Sequence, residues 1–400
     1  MASPAPHVLL YVDVNKTVIM HDPVQGKDLP HIVNDLLTER ALGRVYRIAD
    51  GEAEWQWNGR SVIGHDVSEQ DEEGCVSYGA FLRAEFPTSR DPDIARRNKK
   101  TRKVLRQDFT SEGNAGHGLV NDHASLLKKL ELPPANGADI TELVQRAGLD
   151  ASPYFFMVPA FFRFVEHLHD RDIAFNLIFR TYGDDLVRIA QEFNCFCEGK
   201  HPFFPHAKMD GSGGSVDRRI HLTIDEETDA TGPRFGTFYR ADEFTALVMG
   251  TFDQPSKDDA VYNDVSFYKD CRDVRVVEGI PAIHRFLTEE WRAKQTTLAI
   301  RDFYPFWFRN CEDATTSKLL TLDPRDDSVH AVFFDDNILE HDAHIVDARN
   351  ARDGSAIPFE QTKDVNLVRV EPLDVIRDEE YFVRSFEEAL HRRSANVLAG

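Results

Sequence analysis

The stretch His7-Val-Leu-Leu-Tyr-Val-Asp13 is a short apolar run that stops abruptly at a carboxylate. It is apolar at every interior position rather than at alternate ones, as a strand buried on both faces of a parallel sheet requires. Two later runs have the same form. Ile173-Ala-Phe-Asn-Leu-Ile-Phe179 ends at Arg180-Thr181, and Val329-His-Ala-Val-Phe-Phe334 ends at Asp335-Asp336. Leu367-Val-Arg-Val370 is a fourth, shorter run. Between them, Phe161, Phe164, Val165 and Leu168 recur at helical spacing behind Pro159, a residue tolerated in the first turn. Gly183-Asp184-Asp185 opens a further helix with Leu186, Ile189, Phe193 and Phe196 on one face. Alternation of buried strands with amphipathic helices predicts a doubly wound α/β fold with a mostly parallel sheet containing strands 8–13, 173–180, 329–334 and 367–371.

Outward from these elements, the 400-residue chain divides into a core and two insertions. Residues 1–21, 151–197 and 291–400 form the expected core; 22–150 and 198–290 are read as cap or peripheral structure. The first insertion carries a helix from Leu29 to Leu42, then a hairpin between Val45 and Ile63 around Asp50-Gly51. An acidic patch (Asp66 to Glu73) and a basic run (Arg96 to Arg106) follow, with helices over 92–107 and 121–131. In the second insertion, the runs at Ile220–Ile224 and Phe235–Tyr239 read as a hairpin. Ile280 to Arg292 reads as helix, Leu298 to Phe308 as strand then loop, and Glu379 to Arg392 as a closing helix.

Composition narrows the function. Hydrophobic residues make up 42% and charged residues 29%, enough to bury a core. The 68 acidic against 47 basic residues leave a net charge of -21, which repels phosphate backbones and anionic lipid and argues against a nucleic-acid or membrane binder. No apolar run approaches the roughly 18 residues of a membrane span, and Val8 to Val12 is too short for a signal-peptide core. The five cysteines give no disulfide framework, so a reducing, cytoplasmic setting is expected. Cys195-Phe-Cys197 with His201 and His206 offers four zinc-type ligands, but at a spacing that matches no finger or ribbon. On an apolar helix such cysteines behave as small hydrophobes.

The chemistry gathers at strand ends. In an open parallel sheet, ligands bind outside the carboxyl ends of the strands, where Asp13, Thr181 and Asp335-Asp336 would meet. Carboxylates collected there repel one another unless a hard cation such as Mg²⁺ neutralises them. A lysine balancing an incoming phosphoryl group is expected at Lys318, within Thr315-Thr-Ser-Lys318-Leu-Leu, with Lys294 as a rival.

In these features the sequence resembles the haloacid dehalogenase superfamily, mostly Mg²⁺-dependent phosphohydrolases. Its first motif, an apolar strand ending in D-x-D-x-T or a variant, reads here Asp13-Val14-Asn15-Lys16-Thr17. The second, a strand ending in Thr or Ser, is matched by Leu177-Ile-Phe-Arg-Thr181. The third, a lysine at a helix start, is matched by Lys318, and the fourth, a strand ending in an acidic pair, by Val332-Phe-Phe-Asp335-Asp336. The resemblance implies that Asp13 attacks phosphorus to form an aspartyl-phosphate, and that Thr181 and Lys318 bind the phosphoryl oxygens. It implies Mg²⁺ held by Asp13, the backbone carbonyl of Asn15 and Asp336, with Asp335 nearby. The departure is Asn15, where phosphatases of this type carry the aspartate that protonates the leaving group. An amide does neither half of that proton transfer, which is typically worth ~10²–10⁴ in rate. His21 and Asp22 are the neighbours in sequence that would substitute, and Asn15→Asp is expected to restore the donor. Two functions follow. One is hydrolysis or transfer of a phosphoryl group from a small phosphorylated metabolite. The alternative is a binding or regulatory protein on the same scaffold, in which Asn15 has ended turnover.

Overall fold

The computed structural model describes residues 5–21, 26–47, 53–63, 73–89, 91–134, 139–223, 232–255, 265–269 and 271–399. The turn at Asp50-Gly51, Asp22 and the acidic patch before Glu73 lie outside them. β1 (His7–Asp13) is followed by a helix, Leu29–Arg40, and a small antiparallel sheet in which β2 (Leu42–Arg47) lies between β3 (Ala53–Trp57) and β4 (Cys75–Ser77). Helices Tyr78–Glu85, Pro92–Gln107, Val120–Leu130 and Ile140–Arg146 lead to helix Pro159–Asp170, β5 (Phe175–Thr181) and helix Leu186–Cys197. After them come β6 (Phe235–Arg240), β7 (Thr245–Met249), β8 (Arg275–Glu278), helical turns over 280–294 and β9 (Thr297–Asp302). A short helix Tyr304–Arg309, β10 (Lys318–Leu322), β11 (Val329–Asp335), β12 (Val346–Asn350) and β13 (Leu367–Arg369) precede helices Pro372–Arg377 and Tyr381–Ala399.

Eight strands form the central sheet in the order β13-β11-β1-β5-β9-β6-β7-β8. Pairing is parallel from β13 to β6 and antiparallel only at β6–β7–β8. The four strands expected from their apolar runs are thus adjacent and parallel. β5 lies on one side of β1, while the later β11 lies on the other. The chain therefore reverses its direction of travel across the sheet at β1, the switch point beside which open parallel sheets bind ligands at their carboxyl ends.

Alternation along the strands separates two cores. Val8, Leu10 and Val12 pack with Phe161, Phe164, Phe193 and Phe382 from the helices on one face. Leu9 and Tyr11 face the other side with Phe333, Ile283, Trp291 and Trp307. Covered on both faces, the sheet is mixed α/β and compatible with a Rossmann-like arrangement.

Two local expectations are corrected. Phe235–Arg240 pairs with Thr245–Met249, not with the run at Ile220–Ile224; residues 220–223 form no strand and 224 lies outside the described residues. Within residues 198–290, β6, β7 and β8 extend the central sheet to its far edge. The segment after Asp302 is helix rather than loop, with Pro305 in its first turn. Among the described residues, no helix is long and apolar enough to cross a membrane.

Candidate functional site

The site begins with register. In β1 and β11, Asp13 and Asp335 continue the odd-numbered faces of Tyr11 and Phe333, whose rings stack at 5.6 Å, so both carboxyls project from that same face at the crevice. β10 lies over this face and begins with Lys318. The Lys318 Nζ donates to Asp13 Oδ1 at 2.5 Å and to Asp335 Oδ2 at 2.8 Å, and all three groups are buried. Lys318 was expected at a helix start. Instead a single 3₁₀ turn, Ala314–Thr316, capped by Asp313, precedes it, and Lys318 is the first residue of a strand.

Asp336 completes the cluster: oxygens of Asp13, Asp335 and Asp336 lie within 4.8 Å of one another. Asn337, not anticipated from sequence, ties the pair down. Its backbone N–H donates to Asp335 Oδ1 at 2.9 Å, and its Nδ2 donates to Asp336 Oδ1 at 2.8 Å.

Three carboxyls around one ammonium leave a charge imbalance. Burial lifts the Asp13 carboxyl well above the usual range against the pull of Lys318, and the charges of Asp335 and Asp336 push in the same direction as burial. Asp336 is pushed up to about 7 by burial and by Asp335, opposed by Lys16 and Lys318. Burial works against the charge on Lys318, yet Asp13 and Asp335 hold its pKa above that of an ordinary lysine. Its Nζ lies 5.3 Å from the Tyr182 ring centroid and 5.7 Å from that of Phe333, so aromatic faces line the rest of its surroundings.

Asn15, two residues beyond Asp13, has its amide orientation fixed by partners that accept. Nδ2 donates to the His21 carbonyl at 2.9 Å and to Asp185 Oδ2 at 3.1 Å. The buried Thr181 hydroxyl donates to Asn15 Oδ1 at 3.4 Å and accepts from the Gly183 N–H at 2.9 Å. Thr181 is thereby joined to the first motif through Asn15. His21 turns its ring edge-on to Phe156, with centroids 6.5 Å apart, and its Nδ1 is buried with no partner among the described residues.

Lys16 takes a left-handed backbone (φ 60°) and reaches Asp35 Oδ2 at 3.5 Å. Asp35, on helix Leu29–Arg40, also receives Lys27 at 3.0 Å and Arg106 at 2.5 Å. Burial would raise its pKa, but these three cations hold it well below the carboxylate range. Arg106, the last basic residue of the Arg96–Arg106 run, is thus spent inside the protein.

The zinc-type residues do not assemble. Cys195 and Cys197 are buried, and burial pushes the Cys195 thiol up to about 11 and the Cys197 thiol well above its ordinary value. His201 pairs with Glu192 at 3.3 Å. Lys294 lies over the Trp291 ring at 4.9 Å, while Lys318 holds the carboxylates.

The residue that sequence reading missed is Asp185. In the sequence it reads only as part of a helix start; its approach to Asn15 is a tertiary contact 170 residues apart in the chain. Compared with protein-family models, with curated proteins and with solved structures, the chain matches none.

Proposed function

We propose that this chain is a Mg²⁺-dependent phosphohydrolase or phosphotransferase of the haloacid dehalogenase type, acting on a small phosphorylated molecule through a phosphoryl group carried transiently by Asp13. The observation that carries this reading is the convergence of Asp13, Lys318, Asp335 and Asp336 at the carboxyl end of the sheet.

The donor set fits a hard cation: the three acidic side chains offer carboxylate oxygens, and Lys318 is the one ammonium hydrogen-bonded to them among the described residues. Asp13, Asp336 and the backbone carbonyl of Asn15 would hold Mg²⁺, with Asp335 beside them and engaged by Lys318 and Asn337. The ion would supply Lewis acidity and positive charge to a phosphoryl group. Asp13 serves as nucleophile, splitting one displacement into two easier ones. Lys318 orients Asp13 through Oδ1 and, with the Thr181 hydroxyl, offers donors to the phosphoryl oxygens, where negative charge builds in the transition state.

Asn15 favours the second reading, a binding protein on this scaffold, because an amide transfers no proton. One assay separates the two. The phosphohydrolase reading expects Mg²⁺-dependent release of phosphate from acetyl phosphate or p-nitrophenyl phosphate, abolished in Asp13→Asn. Mg²⁺ binding without turnover of either compound establishes the binding reading.

A further inference from the structure

The carboxylate missing from position 15 has a counterpart four residues beyond the end of β5. Asp185 stands at the start of helix Leu186–Cys197, yet its side chain makes no capping hydrogen bond to that helix. It turns instead to Asn15, accepting Nδ2 at 3.1 Å, and it is only 6% exposed. Polar atoms crowd closely around Gly183, between the two strand ends. A Cβ placed on Gly183 would meet Asp185 Oδ2 at 3.0 Å, Thr181 Oγ1 at 3.4 Å and Asn15 Oδ1 at 3.5 Å. Three polar atoms from separate residues therefore converge beside the end of β5, and glycine, with no Cβ, lets them approach one another.

We propose that Asp185 is the acid–base residue of this site, with Asn15 positioning it. The proposal rests on the phosphohydrolase reading above. In the first step an Asp13 oxygen forms a bond to phosphorus while the phosphorus–oxygen bond to the leaving group breaks. The electron pair goes to the leaving oxygen, which takes the proton of the Asp185 carboxyl. In the second step the Asp185 carboxylate takes a proton from water as the water oxygen attacks the phosphoryl group on Asp13. The bond to Asp13 breaks, phosphate leaves, and both carboxyls return to their starting states. Asn15 cannot take either proton, but its Nδ2 holds Asp185 Oδ2 where a second carboxylate would repel it. Asn15→Asp alone is therefore expected to lower activity, contrary to the expectation from sequence.

The test uses kcat/KM, which reports only steps through cleavage of the ester bond, on the full-length protein with Mg²⁺. Two probes differ in leaving group: p-nitrophenyl phosphate, which needs little protonation, and glycerol 2-phosphate, which needs it. Asp185→Asn should lose ~10²–10⁴-fold on glycerol 2-phosphate and at least tenfold less than that on p-nitrophenyl phosphate. The swap N15D/D185N, which keeps one amide facing one carboxylate, should recover at least tenfold over Asp185→Asn on glycerol 2-phosphate. Asp184→Asn, an exposed neighbour paired with Arg301, should match wild type on both. Equal losses on the two esters, or none on glycerol 2-phosphate, overturn the assignment, as does a wild-type protein active on p-nitrophenyl phosphate alone. In each of those cases the phosphohydrolase reading stands. A wild-type protein that hydrolyses neither ester overturns that reading and this proposal together.

Discussion

Lys318 sets one positive charge between two buried carboxylates, and removing it leaves both uncompensated. Loss of one partner from a buried ion pair typically costs ~3–5 kcal/mol. Lys318→Met is accordingly expected to destabilise the protein by about that much in urea denaturation. The deficit should be larger at pH 8 than at pH 5, where the Asp13 carboxyl, whose pKa burial raises, can take up a proton instead. The same groups are the proposed ligands of a cation. Asp13 and Asp336 have folded-state pKa values above those of the unfolded chain, Asp336 at about 7. Their protonated forms contribute stability that is complete below about pH 4 and lost as the pH rises through the folded values. Under the proposed function Mg²⁺ would take the place of those protons, so its affinity should climb from pH 5 to pH 8 and binding should release protons. Calorimetry in two buffers of different ionisation enthalpy measures that release; Asp336→Asn should reduce both the release and the affinity.

At the scale of elements, the strand ends are held in place by pairs that cross the sheet. Arg180 on β5 is 1% exposed and donates to both oxygens of Asp302 on β9, at 2.8 and 2.5 Å, and to the Leu319 carbonyl of β10 at 3.1 Å. It fixes β10, and with it Lys318, over the sheet. Asp302→Ala should cost ~3–5 kcal/mol by stranding a buried guanidinium, whereas Arg180→Met with Asp302→Leu should recover most of that loss. Gly183→Ala makes the contrast. Its Cβ would press on Asp185 Oδ2 at 3.0 Å without a positive φ to strain, so Asp185 must shift: turnover should fall, with a smaller loss of stability than Asp302→Ala causes. Thermal melting beside steady-state kinetics checks both halves.

Legibility follows from the same geometry. A strand buried on both faces reads as an unbroken apolar run, so β1, β5 and β11 could be placed, and their polar last residues mark the crevice. Strand partners are harder to see, because pairing depends on contacts that sequence does not display. The apolar run at Ile220–Ile224 looked like the mate of Phe235–Arg240 until Thr245–Met249 was found beside it. Lys318 could be picked out as a lysine ahead of β11, but not as the head of a strand laid over the sheet. Asp185 was in plain view as a helix start; only the packing of β1 against β5 brings it to Asn15.

Over the whole molecule, the net charge of -21 makes the crevice an exceptional place to gather more carboxylates. The cluster persists because cations are drawn inward around it: Lys318 to Asp13 and Asp335, and Lys16, Lys27 and Arg106 to Asp35 beside the first motif. The central claim is that Asp13 carries the phosphoryl group. Its most direct measurement is acid quenching of the protein during turnover of acetyl phosphate with Mg²⁺, followed by peptide mass spectrometry. The expected result is one phosphoryl group on the peptide containing Asp13, absent without Mg²⁺ and absent in Asp13→Asn. Turnover with that peptide unmodified, or undiminished turnover by Asp13→Asn, would contradict it.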